Sequence, residues 1–109
     1  MTVSSEENAM PTKITVIIDN PADADGFEQI YAGVKAAAAT FPRLRRLESA
    51  KVWPKEDGTA TPAYRTLDLY FDSYEDASAA VATPVAGEVF GPLVGSQVPF
   101  KGLFSDIEA

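Results

Sequence analysis

With 109 residues, a formal net charge of −7, and 46% hydrophobic against 23% charged residues, the sequence has the length and balance of one globular domain. Histidine and cysteine are both absent. Ser-His-Asp triads, cysteine nucleophiles, disulfides and imidazole or thiolate metal sites are thereby excluded, leaving carboxylates, Tyr, Lys and Arg for proton transfer or charge stabilisation. The acidic balance opposes contact with nucleic-acid phosphates or an anionic membrane surface, so neither is an expected partner.

Residues 1–11, MTVSSEENAMP, carry neither the basic n-region nor the apolar h-region of a signal peptide. They read as a mobile tail before a cytoplasmic domain over 12–109. No apolar run approaches the roughly 18 residues of a membrane-spanning helix. KITVIID alternates, with Ile14, Val16 and Ile18 on one face and Thr15 and Ile17 on the other, and predicts a first strand. Pro21 and the caps Asp23 and Asp25 then open a helix whose apolar stripe is Phe27, Ile30, Tyr31, Val34, Ala38 and Phe41, ending near Pro42. RLRRLESAKVW and AYRTLDLYFD predict strands two and three, joined by a turn at Asp57-Gly58.

Ser73 caps a second main helix over SYEDASAAVA. TPVAGEVFGPLVG predicts a short helix or helical turn broken at Gly91 and Pro92. QVPFKGLFSDI closes the chain as a strand, with Pro99 favouring a sheet edge. The order β-α-β-β-α-β predicts an α+β, ferredoxin-like fold: a four-stranded antiparallel sheet with the helices on one face. Along strand three, Leu67, Leu69 and Phe71 point to the helices and Tyr64, Thr66, Asp68 and Tyr70 to the opposite face. That second face is too aromatic for an ordinary wetted surface and predicts a partner sheet or a lined cavity.

No G-x-G-x-x-G or Walker pattern occurs, so no nucleotide cofactor is expected. The acidic pairs Asp23/Asp25 and Glu56/Asp57 lack the remaining spacing of a calcium loop, and no metal is assigned.

Several features taken together resemble the EthD-like family of the dimeric α+β barrel superfamily. They are Phe27 and Tyr31 four apart on the first helix, FPRLRR leading into strand two, LYFDS closing strand three before an acidic helix, and TP after that helix. The resemblance spans residues 13 to 104. It implies a homodimer whose sheets face each other, with a mainly apolar pocket between sheet and helices in each protomer. Family members are associated with degradation of ethyl tert-butyl ether and with small-molecule metabolism. Lys35 stands where many relatives carry a histidine, Ala37 where they carry a proline, and Pro42-Arg43-Leu44 where they tend to have Pro-Gly-Leu.

The candidate ligand contacts are Tyr31, Lys35, Asp68, Trp53 and Phe90. Tyr31 and Lys35 are neighbours at i and i+4 and could face a pocket mouth. The simpler reading of Lys35 is a boundary lysine whose stem covers apolar surface. Asp68, mid-strand, requires an arginine from a neighbouring chain or strand, such as Arg65 or Arg46, or else a wet cavity. Trp53, Phe90 and the other aromatics line either an apolar pocket or the core and dimer contacts. The six basic residues from Arg43 to Arg65 read as edge or interface charges before a phosphate patch. Two functions are compatible with this pattern. One is a homodimer binding a small, mainly apolar metabolite, with cofactor-free isomerase or monooxygenase chemistry. The other is a non-catalytic accessory protein that dimerises and contacts a partner enzyme.

Overall fold

The computed structural model describes residues 10–108. Positions 1–9 of the expected N-terminal tail, and residue 109, lie outside the described residues. The elements are β1 (Thr12–Ile18), α1 (Ala24–Ala38), β2 (Arg46–Lys51), β3 (Arg65–Phe71), α2 (Tyr74–Val81), α3 (Val85–Gly95) and β4 (Phe100–Asp106). The strands form one antiparallel sheet in the order β2-β3-β1-β4, the ferredoxin-like arrangement that the sequence predicts.

One sheet face is apolar and covered. Ile14, Val16 and Ile18 of β1 and Leu67, Leu69 and Phe71 of β3 are buried against Phe27, Tyr31, Val34 and Ala38 of α1 and Val89 and Leu93 of α3. Their burial supplies the main favourable free energy of folding, about 1.5–3 kcal/mol for each large side chain. Helix α1 starts where Asp23 accepts a hydrogen bond from the Gly26 amide at 3.1 Å. Helix α2 starts where Ser73 accepts from the Asp76 amide at 3.1 Å. Both use the side-chain oxygen to satisfy an otherwise orphaned amide.

Several expectations are corrected. Helix α3 is continuous for 11 residues and contains Pro92. Pro92 and Glu88, whose carbonyl loses its helical partner there, are both exposed, so water can take the freed acceptor. Ile30 is left out of the core and is exposed at the margin of the α1 stripe. Tyr64 does not join the open face. Its amide reaches the Ile18 carbonyl at 2.7 Å, one residue off the register in which Ile18 opposes Arg65. Its ring packs edge-on against Phe27 and its hydroxyl donates to Glu28, both on the helix side.

Arg43 has φ +65°, a left-handed conformation that costs a residue with a Cβ about 1–2 kcal/mol. By the resemblance to the EthD-like family it stands where relatives tend to have glycine, and its guanidinium pairs with Asp76 at 2.7 Å. Arg43→Gly is expected to change stability by less than about 1 kcal/mol, because relief of strain offsets the lost exposed pair and the greater freedom of the unfolded chain. Arg43→Val, which keeps the strain and adds a branched Cβ, is expected to cost about 1–2 kcal/mol more than Arg43→Gly. Urea unfolding of the two variants checks the difference.

Candidate functional site

Two polar constellations flank the sheet. The first lies on the helix side, where α1 crosses the β2-β3 hairpin. Arg65 shares the parity of Leu67, Leu69 and Phe71 and therefore points at α1. Its Nε and Nη2 donate to Glu28 at 2.8 and 2.6 Å. The Tyr64 hydroxyl donates to the same carboxylate at 2.8 Å. The Arg65 guanidinium lies 4.6 Å from the centre of the Tyr31 ring, and the Tyr31 hydroxyl is hydrogen-bonded to Ser49 Oγ at 2.6 Å. The bidentate contact from Arg65 holds the Glu28 carboxyl at a pKa of about 2, while burial pushes the Tyr31 phenol up. A carboxylate this acidic is a fixed anion near neutral pH and a poor base.

The second constellation is the open sheet face. Its cross-strand rows are Arg46, Tyr70, Lys13 and Ser105; then Glu48, Asp68, Thr15 and Leu103; then Ala50, Thr66, Ile17 and Lys101. Asp68 accepts from Thr15 Oγ1 at 2.6 Å and lies 3.8 Å from Lys13 Nζ. Within the chain the expected arginine partner is thus replaced: Arg65 is held by Glu28 on the other face, and Arg46 pairs along its own strand with Glu48 at 3.3 Å. Tyr70 donates to Glu48 at 2.7 Å beneath the Arg46 guanidinium, which sits 4.3 Å from its ring centre.

Two concavities open at the surface. A cleft of about 520 Å³ separates the start of α1 from the α3–β4 turn, with Phe27, Ile30, Val98 and Pro99 as its apolar wall and Asn20, Asp23 and Gln97 as polar members. A groove of about 490 Å³ lies at the end of the sheet, beside Lys13, Arg45 and Arg46. Among the described residues no three carboxylates are grouped as a metal site, and no single helix is long and apolar enough to cross a membrane.

The five residues singled out from the sequence lie in separate places. Tyr31 is 2% exposed, inside the helix–sheet interface. Lys35 is exposed in the last turn of α1. Asp68 is on the open sheet face, Trp53 is 87% exposed beyond β2, and Phe90 stacks on Phe100 with ring centres 6.1 Å apart. Tyr31 and Lys35 therefore share a helix but not a pocket mouth: of the pair, only the tyrosine faces the sheet. Sequence reasoning missed Glu28 and Ser49 and gave Arg65 the wrong partner. The signals were there, since Glu28 is one turn before Tyr31 and Arg65 has the parity of the core positions of its strand.

The architecture is that of the ferredoxin-like α+β proteins, EthD family proteins among them. An EthD family protein from Bacillus halodurans superposes with a TM-score of 0.81 at 17% identity, over 91% of this chain and all of the other. A hydroxynitrile lyase from Passiflora edulis superposes with a TM-score of 0.74 at 14% identity, over 92% and 95% of the two chains. SnoaB, a cofactor-independent oxygenase from Streptomyces nogalater, gives 0.67 at 12% identity, over 93% and 96%. Other neighbours with this fold are described as dimeric. By sequence, the chain is 29% identical over 73 residues to an uncharacterized 11.0 kDa protein from the thcB-thcC intergenic region of Rhodococcus erythropolis, covering 66% of this chain and 70% of the relative. No family model matches the chain.

Proposed function

We propose that the protein is a cytoplasmic, EthD-like homodimer, its protomers apposed through the open sheet face, that binds a small, mainly apolar metabolite. The observation that carries this reading is the chemistry of that face. Its two central carboxylates already have hydrogen-bond donors within the chain, Asp68 from Thr15 and Glu48 from Tyr70, and beside them lie the apolar side chains of Ile17, Ala50 and Leu103, the last 47% exposed. A second sheet can cover these two carboxylates without leaving either one short of a donor, which is the usual cost of burying acids.

The metabolite has its best seat in the α1 cleft, where Phe27, Ile30 and Val98 offer apolar surface and Asn20 and Gln97 offer orienting groups. A role in the degradation of small organic compounds, with cofactor-free isomerase or monooxygenase chemistry, is consistent with neighbours named as a cofactor-independent oxygenase and an EthD family protein.

A second reading, a non-catalytic accessory dimer, is favoured by one particular observation. The space between α1 and the sheet is filled by Tyr31, Val34 and Leu67, and Lys35 points away from it. Native mass spectrometry of gently purified protein separates the readings. A dimer retaining an organic molecule is the expected result; an empty dimer would favour the accessory role, and a monomer would overturn the proposal. Ile30→Asp, which places a charge in the cleft wall, is expected to abolish the retained mass while leaving the subunit count unchanged.

A further inference from the structure

We propose that the groove at the end of the sheet is a second binding site, selective for a small organic monocarboxylate held by Lys13 and Arg46, with Arg45 on its wall paired to Asp72. The site is distinct from the α1 cleft and does not depend on its being occupied.

The chain has nine Lys and Arg residues against sixteen acids, yet three of the nine line this one groove. Arg46 and Lys13 flank Tyr70 in a single row across β2, β3 and β1, and Arg45 follows the same strand end around toward Asp72. Each cation has an acidic neighbour, but two of those acids do not depend on it. Asp68 keeps the Thr15 hydroxyl at 2.6 Å if Lys13 turns away, and Glu48 keeps the Tyr70 hydroxyl at 2.7 Å if Arg46 turns away. The Lys13–Asp68 separation is 3.8 Å and the Arg46–Glu48 separation 3.3 Å, both loose for charge-assisted contacts. The Arg46–Glu48 pair is exposed and worth about 0–1 kcal/mol, so Arg46 is available to an incoming anion at little cost. The Lys13–Asp68 pair is half-buried but long, and Lys13 can turn to the anion while Asp68 keeps Thr15.

Arg45 shows the binding mode in miniature, with Nε and Nη2 both on one Asp72 oxygen at 3.0 and 2.6 Å. The ligand class follows from the surrounding charges. A monocarboxylate can meet Lys13 and Arg46 while Asp72 stays on Arg45, and the nearby Asp68, Glu48 and Asp72 oppose the second charge of a dianion. Pro11 and Ile107 on the groove wall give an apolar substituent a surface to cover. Arg46, Tyr70 and Lys13 are the end row of the open face, so the site requires a second sheet over that face to stop short of this row.

The test is a ¹⁵N-HSQC titration of the whole chain with sodium benzoate, against benzyl alcohol and inorganic phosphate at matched ionic strength. Saturable shifts centred on Lys13, Arg45, Arg46 and Tyr70, given by benzoate and not by benzyl alcohol, are expected. Lys13→Gln/Arg46→Gln is expected to weaken benzoate about tenfold or more, since two charge-assisted contacts are lost. Lys101→Gln, removing a cation two rows away, is expected to leave it unchanged, and a dispersed spectrum of the double variant verifies its fold. The single variant Arg46→Gln gives the same readout if the double variant is unfolded. The proposal is overturned by an absence of saturable shifts, by shifts centred on the α1 cleft, by equal binding of benzyl alcohol or phosphate, or by a Lys13/Arg46 variant that binds as the parent does.

Discussion

Arg65→Met is expected to lower stability by about 2 kcal/mol, because it leaves the Glu28 carboxylate half-buried without its bidentate partner. The arginine is 16% exposed at its side chain and Glu28 35% exposed, so water recovers part of the loss and the figure lies below that for a fully buried pair. The methionine keeps a stem of similar length, while the guanidinium's contact with the Tyr31 ring is lost along with the ion pair. The pH dependence follows from the same contact. Glu28 titrates near 4.5 in the unfolded chain and at about 2 in the folded one. Its contribution is therefore complete above pH 4.5 and is lost as pH falls toward 2, since below both values the two states bind the same proton. In Arg65→Met the folded pKa returns toward the ordinary range, and this part of the acid slope flattens. Urea unfolding near neutral pH and again near pH 3 should show the variant's deficit shrinking with acidity. A deficit independent of pH would mean that packing, and not the ion pair, was removed.

How much of this was legible in the sequence depends on whether a local pattern or a long-range contact decides the outcome. Strand β1 was readable because Ile14, Val16 and Ile18 alternate with polar or half-buried neighbours, and the helix caps were readable because Asp23 and Ser73 act within three residues of themselves. Burial of Leu67, Leu69 and Phe71 followed from the same period-two rule. Tyr64 escaped that rule, since a one-residue irregularity at the strand entrance turns it to the other side. Lys35 misled for a different reason. At about 100° per residue, a stripe centred on Val34 leaves position 35 on its border, and periodicity cannot tell which way a long side chain on that border will lean. Partners were the least readable feature. Asp68 found Thr15, 53 residues away, and Glu28 found Arg65, 37 residues away; charge and parity narrow such choices without making them. The glycine-to-arginine departure at Arg43 became intelligible only with its backbone angle, which gives a conformational reason for glycine at that place.

Leu103→Asp is expected to dissociate the proposed dimer while leaving the protomer folded. Leu103 is 47% exposed on the isolated chain, and it lies opposite Thr15 on the open face. As a surface substitution in one protomer, the change alters folding stability by about 0.5 kcal/mol at most. Covered by a second sheet, the same carboxylate joins Glu48 and Asp68 in its own row, with Lys101 two residues along β4 and Lys13 diagonally across on β1. Partly offset by those lysines, a charge in such a place costs about 1–3 kcal/mol. A two-fold interface contains it twice, so the dissociation constant should rise by about thirtyfold or more. Val94→Asp is the matched comparison, because Val94 is 66% exposed on the outer side of α3, away from the sheet, and should leave the association unchanged. Sedimentation velocity over a dilution series distinguishes the outcomes. If Val94→Asp dissociates the protein and Leu103→Asp does not, the helices form the contact, and the open face must then be stable in water on the strength of its own Asp68–Thr15 and Glu48–Tyr70 hydrogen bonds.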